Sequence, residues 1–288
     1  MKGIDLSFIG HIAVDTNIDR SGRVESTLGG GGLSPAIAAS TVLAPDRIGI
    51  ISKIGDDEFG VRAKSYIDNK GCNTEGLEVI PGDQTTWVVI KEMPAGRRIA
   101  VDLGVSRDFI PRVPESHKFA KYAHIGSGPS VQQMHWFEKI HDKFSSATII
   151  SADPLEVFIR SHPQETKVLL ERVGLIFINE EEWSLVSQYG ELVTKSPIIL
   201  KRGEKGAVYI FADECISIPA PKVKVAHTTG AGDTLAGVFL GLRAQNVPIA
   251  KALEKAVEYA SISITQFGVE HLAESMRKHQ QEQQKEKK

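Results

Sequence analysis

His227-Thr228-Thr229-Gly230-Ala231-Gly232-Asp233-Thr234 is the stretch that decides how this 288-residue chain is read. Two glycines flank an alanine, so the backbone there can turn tightly and approach another group closely. Leu235, Val238, Phe239 and Leu242 then recur at i, i+3, i+4 and i+7, which is helix spacing. The turn therefore delivers unpaired backbone N–H groups to a helix N-terminus, an anion site in waiting. Asp233 lies in that first turn. Backbone donors for a phosphate beside a carboxylate that orients a hydroxyl are the minimum equipment for phosphoryl transfer. A plain helix cap, with Asp233 favouring the dipole, explains the same residues taken alone.

Upstream, the chain alternates strand and helix. Apolar strands are expected at Gly3–Gly10, Asp46–Ser52, Ala123–Gly126, Thr148–Ala152, Leu175–Ile178 and Pro197–Lys201, with helices between them. Short apolar strands between helices indicate an α/β fold, a central mostly parallel sheet covered by helices on both faces. Ligands of such sheets sit beyond the carboxyl ends of the strands, where Gly126, Asp153 and Asn179 fall. Asn179 and Glu182 have capping-box spacing at the start of a helix. Glu182 is equally suited to hold water on magnesium, which keeps several waters when bound. Arg202-Gly203-Glu204-Lys205-Gly206 joins two strands, either passing under a nucleotide or forming an ordinary hairpin loop.

Asp15 and Asn17 share a face of an extended segment after the first strand and can hydrogen-bond sugar-type hydroxyls. Gly29-Gly30-Gly31-Gly32 then opens a small-residue helix, which suits a ligand-facing loop. Lys53–Gly60 is expected to begin a helix running to about Asn69 and stopping at Gly71, with Gly55 and Asp56 as candidate substrate contacts. A hairpin arm at Arg20–Leu28 and a strand pair at Thr85–Lys91 and Arg98–Leu103, joined through Met93-Pro94-Ala95-Gly96, predict a small β-sheet lid that excludes water. Arg97 and Arg98 read first as a solvated turn and second as contacts for a phosphorylated sugar. The organisation expected is a core of residues 1–10, 30–83 and 104–276, a discontinuous lid of 11–29 and 84–103, and a disordered Gln/Lys/Glu-rich tail at 277–288.

The composition is that of a globular protein, 41% hydrophobic and 24% charged. Lys+Arg 34 against Asp+Glu 36 leaves no basic field for nucleic acid. Cys72 and Cys215 form no CxxC, which speaks against a cysteine zinc site and a disulfide framework. The N-terminus lacks a signal-peptide pattern and no apolar run reaches membrane-spanning length, so a cytoplasmic setting without membrane contact is expected.

Together these residues resemble the ribokinase-like, or PfkB, family of carbohydrate and nucleoside kinases, from Asp15 to Gly268. The opening stretch resembles the family's Asp-Thr-x-Gly-Ala-Gly-Asp signature, and Ile54–Gly60 and Asn179-x-x-Glu182 match two further landmarks in order. The resemblance implies ATP-dependent phosphorylation of a hydroxyl on a small sugar, nucleoside or cyclitol. It makes Asp233 the catalytic base and Gly230, Ala231 and Gly232 the anion hole. It assigns Asn179 and Glu182 to Mg²⁺ and phosphate. Asp15, Gly31, Gly32 and Asp56 contact the acceptor by the same likeness, with Asn17 beside them. Lys201, Gly203 and Gly206, with Thr228, lie along the nucleotide. A helix N-terminus and nearby Mg²⁺ are expected to lower the pKa of Asp233, making it a weak base. The alternatives are a hydroxymethylpyrimidine- or pyridoxal-type kinase, which shares the fold, and a sugar- or nucleotide-binding sensor without catalysis. Exposed lid edges make a homodimer through the lid an expected partner mode. Two departures stand out. His227 replaces the signature's first Asp, in a region that helps bind a monovalent cation in many members. Leu33-Ser34-Pro35-Ala36 lacks the Asn that usually follows the glycine-rich signature.

Overall fold

A computed structural model describes residues 3–18, 21–93, 96–268 and 270–286. Arg20, the turn residues Pro94 and Ala95 and the chain ends lie outside these, as do the side chains of Arg97 and Arg98. In chain order the strands are β1 (Leu6–Ile9), β2 (Ala13–Ile18), β3 (Val24–Gly29), β4 (Ile48–Gly55), β5 (Asn73–Ile80), β6 (Thr86–Met93) and β7 (Gly96–Asp102). There follow β8 (Tyr122–Ile125), β9 (Ile149–Ala152), β10 (Leu175–Asn179), β11 (Ile198–Lys201), β12 (Ala207–Phe211) and β13 (Glu214–Ile218). The helices are α1 (Ser34–Ala39), α2 (Glu58–Lys70), α3 (Ser130–Ile140), α4 (Glu156–Ile159), α5 (Pro163–Arg172), α6 (Glu180–Ser187), α7 (Ala231–Ala244), α8 (Ile249–Ser263) and α9 (Leu272–Glu286).

The large sheet has the order β13-β12-β11-β10-β9-β8-β1-β4-β5. From β11 to β5 every pairing is parallel, and β12 and β13 add an antiparallel edge. Strands buried on both faces must be apolar on both, and alternation sorts their side chains. Leu175 and Phe177 of β10 enter the core with α1, α2, α7, α8 and α9, while Ile176 and Ile178 enter the core with α3, α4, α5 and α6. This is the mixed α/β architecture expected from sequence. Among the described residues no helix is long and apolar enough to cross a membrane.

A second sheet has the order β3-β2-β6-β7, built from two distant parts of the chain. Its β2–β6 pairing is parallel and the two outer pairings are antiparallel. Asp57 ties it to the core. Its carboxylate caps α2 by accepting the Gly60 N–H at 2.9 Å, and also accepts the Thr85 hydroxyl at 2.5 Å and the Thr85 N–H at 3.2 Å. Asp57→Ala is expected to lower stability by about 1–2 kcal/mol, as loss of a strong N-cap does. Urea unfolding checks this; an unchanged midpoint would mean the cap is redundant.

The structure differs from the sequence expectation in three places. β4 continues to Gly55 and α2 begins only at Glu58, because Asp57 sets the cap. β5 had no sequence counterpart, being a polar edge strand whose register shifts beside Gly76. The expected disordered tail continues as α9 from Leu272 to Glu286. Leu272 and Met276, one turn apart, are buried in the core, and Glu274 bonds Lys278 at 2.7 Å along the same helix. Both buried residues precede the polar stretch, which extends to Glu286 the helix that they anchor.

Candidate active site

The carboxyl ends of β1, β8, β9, β10 and β11 converge with the N-terminus of α7 on a cavity of about 390 Å³. The second sheet covers part of it. Gly230 is the N-cap of α7 with φ +81°, a left-handed conformation that glycine adopts without penalty. The Thr234 N–H donates to the Gly230 carbonyl at 2.9 Å, closing the first turn of the helix. Among the described residues, the hydrogen bonds give the amides of Ala231, Gly232 and Asp233 no protein acceptor. Gly230, Gly232 and Asp233 line the cavity, with Thr228 and Thr229 just before them.

Lys201 ends β11 beneath this turn. Its Nζ donates to Asp153 Oδ1 at 2.5 Å and stands 3.9 Å from Glu182 Oε2. A Cβ on Gly232 would come within 3.2 Å of that nitrogen, so the ammonium lies directly against the turn. Lys201 is the only Lys or Arg among the described residues lining the cavity. Four carboxylates share it: Asp15, Asp153, Glu182 and Asp233.

Burial raises Asp233 to about 6, with Lys201 opposing and Asp15 and Glu182 adding to the rise. Burial likewise raises Asp15 and Asp153 to about 6, and Glu182 to about 7. Lys201 pays for its own burial, yet Asp153 and Glu182 hold its pKa above the usual value. Asp233 thus stands above its usual value, against the lowering expected from the helix N-terminus. Loss of water around a carboxylate crowded by others outweighs the helix dipole and one ammonium.

The remaining expected residues divide. Asp15, on β2, lines the cavity, and Gly29 leaves it room, since a Cβ there would fall 2.1 Å from Asp15 Oδ2. Gly31 lines it too, where the chain crosses so closely that a Cβ would meet the Ser127 N–H nitrogen at 2.5 Å. Asn179 and Glu182 line it while forming the predicted capping box. Asn179 Oδ1 accepts the Glu182 N–H and Glu182 Oε2 accepts the Asn179 N–H, each at 2.8 Å.

Six expected site residues do not line this cavity, the first of them Ala231, which sits between Gly230 and Gly232 in the α7 turn. Asn17 is further along β2, in an outer recess with Arg23 and Phe267. Gly32 packs on the Gly10 carbonyl. Asp56 accepts the Gly82 N–H at 2.9 Å beyond the end of β4. Gly203 and Gly206 shape the turn between β11 and β12, and a Cβ on Gly206 would strike the Ile218 carbonyl at 2.0 Å. His227, at the position of the signature's first Asp, donates from Nε2 to the Gln266 carbonyl and packs edge-on against Phe267.

Asp153 was visible in the sequence only as a residue at a strand end. Its pairing with Lys201 spans 48 positions and left no local signal. The inward residues Val88, Ile90 and Val101 of the second sheet were equally unmarked. No group of three or more His, Cys, Asp or Glu among the described residues is arranged to hold a metal ion by itself. Glu182 and Asp153 set two carboxylates on the cavity wall, and one or two carboxylates are what a magnesium ion that keeps several waters needs.

The chain matches the model of the pfkB family carbohydrate kinase over residues 4–276. It is 26% identical to a cytidine kinase of Thermococcus kodakarensis, with 92% of this chain and 98% of that protein covered. It is 24% identical to a ribokinase of Lactococcus lactis, with 92% of each covered. Among solved structures, a Burkholderia thailandensis nucleoside kinase in complex with inosine superposes with a TM-score of 0.81 at 20% identity, covering 93% of this chain and 94% of that one.

Proposed function

Because the chain belongs to the pfkB family of carbohydrate kinases, we propose that it transfers the γ-phosphoryl group of ATP to a hydroxyl of a small sugar, nucleoside or cyclitol. One observation carries the reading: the first turn of α7, where the amides of Ala231, Gly232 and Asp233 have no protein acceptor among the described residues, meets through Gly230, Gly232 and Asp233 a cavity that also holds the Asp233 carboxylate and the Lys201 ammonium. The acceptor lies toward the second sheet, near Asp15 and Gly31, and the donor phosphates lie at the α7 N-terminus.

Asp233 accepts a hydrogen bond from the acceptor hydroxyl and aims its oxygen at the γ-phosphorus. As the new O–P bond forms, the bond to the bridging oxygen breaks, ADP departs with the electron pair, and the hydroxyl proton passes to Asp233. The transition state is loose, so orientation comes first and proton removal late. The α7 amides and Lys201 meet the charge on the transferring oxygens, fixed in place before the reaction. Asn179 and Glu182 would hold magnesium with its waters, which supplies neutralising charge to the phosphates. The second sheet acts as the lid that keeps water from the donor.

ADP release measured over a panel of sugars, nucleosides and cyclitols tests the reading. Acceptor-dependent ADP formation is expected. Saturable ligand binding with no turnover under any acceptor would mean a sensor instead.

We further propose a homodimer through the lid's outer face. Trp87 is 46% exposed there although its indole N–H donates to Thr16 at 3.0 Å, and Val24 on the edge strand β3 is 59% exposed. Light scattering is expected to show a mass that doubles with concentration, and Trp87→Glu is expected to hold the monomer. A mass independent of concentration would refute the dimer.

A further inference from the structure

The part of the cavity beneath the second sheet is apolar where a free sugar would need partners. Val88 and Ile90 face inward from β6, and Val101, paired directly with Val88, joins them from β7. The polar side chains nearby are mostly committed. The Thr86 hydroxyl is engaged with the Leu103 carbonyl at 2.8 Å and Ser106 Oγ at 2.6 Å. His11 Nε2 is held by Gln132 Oε1 at 3.1 Å, and its ring packs edge-on against Trp136. Asp15 is different: among the described residues no hydrogen bond to its carboxylate is found, and it lines the same cavity as Asp233.

Each candidate acceptor can be set against this wall. A free pentose, hexose or cyclitol carries hydroxyls around its whole ring. Those turned toward Val88, Ile90 and Val101 would lose water and gain nothing. A sugar phosphate would bring a dianion to a space holding Asp15 and Asp233. Its only cation among the described lining residues is Lys201, already bound to Asp153. An acceptor with hydroxyls at one end and a flat, weakly polar ring at the other satisfies both halves. The hydroxyls reach Asp15 and the glycine backbone, and the ring lies on the valine and isoleucine side chains.

We infer that the acceptor is a nucleoside, whose sugar hydroxyls meet Asp15 and whose base packs on Val88, Ile90 and Val101 of the second sheet. This rests on the proposed kinase reading for treating that end of the cavity as the acceptor site.

Calorimetric titration of the full chain, with ADP present to fill the donor end, tests it directly. The probes are cytidine, inosine, ribose, myo-inositol and fructose 1-phosphate. At least one nucleoside is expected to bind about 100-fold more tightly than ribose, because the base adds buried contact that ribose lacks. Val88→Asn is expected to weaken nucleoside binding about tenfold while leaving ribose unchanged. Val88→Thr, closer in shape, should weaken it in the same direction and serves if the asparagine variant fails to fold. Ribose, inositol or the sugar phosphate binding as tightly as both nucleosides would overturn the inference, and so would the absence of nucleoside binding. Nucleoside binding without ADP formation in a turnover assay would instead remove the kinase reading and leave the nucleoside site standing.

Discussion

Asp233→Asn is expected to reduce kcat by about three orders of magnitude, in the range attributed to a positioned general base, while ADP binding stays within a few-fold of the parent. The asparagine keeps the volume at the first turn of α7 and leaves the amides of Ala231 and Gly232 in place, so the phosphate grip survives. What disappears is the acceptor for the hydroxyl proton and the charge that orients it. The pH profile gives an independent check. With burial raising Asp233 to about 6, its ionised form, the one able to accept a proton, is depleted as pH falls through that value. Parental kcat/KM is therefore expected to drop on the acid side near pH 6, and the residual activity of Asp233→Asn should lack that limb. A variant retaining most of its turnover would remove Asp233 from the chemistry, even if the cavity binds both ligands.

The sequence carried the architecture because the relevant signals are local and periodic. Alternation in Leu175–Ile178 put side chains into two cores, and the four strands of the second sheet announced themselves by turns and alternation. The α7 turn was legible for the same reason, since Gly-Ala-Gly followed by i, i+3, i+4 apolar residues states its own geometry. What stayed hidden depends on contacts between distant segments. Asp153 looked like the end of a strand, and only the convergence of β9 and β11 makes it the counter-ion of Lys201. The raised pKa of Asp233 was missed because the helix dipole is visible locally whereas burial among Asp15 and Glu182 is not. Asp56 shows the opposite case. Its neighbourhood reads like a contact loop, and the fold sets it outside the cavity with Oδ1 accepting the Gly82 N–H.

Lys201→Met is expected to have the largest effect on stability, and the effect should depend on pH in a direction opposite to ordinary acid denaturation. The side chain is 14% exposed, Asp153 is 4% and Glu182 is 3%. Removing the ammonium leaves the buried Asp153 and Glu182, and the half-buried Asp233 beside them, without a counter-charge. Breaking a buried pair in this way costs about 3–5 kcal/mol. The carboxylates already bind protons more readily than in the unfolded chain, Asp153 at about 6 and Glu182 at about 7. Without Lys201, which lowers both, their folded-state values rise further. A group whose folded pKa exceeds its unfolded one binds more protons when folded, so lowering pH between those values favours the folded state. The deficit of Lys201→Met relative to the parent is therefore expected to be greatest near pH 8 and to shrink steadily toward pH 5, as protons replace the missing ammonium. Urea unfolding of both proteins at several pH values measures it. A deficit that is constant with pH would show that Lys201 supports the fold through packing of its stem rather than through charge. The same series should show turnover lost at every pH, because a protonated carboxylate restores stability without restoring a cation to the phosphoryl oxygens.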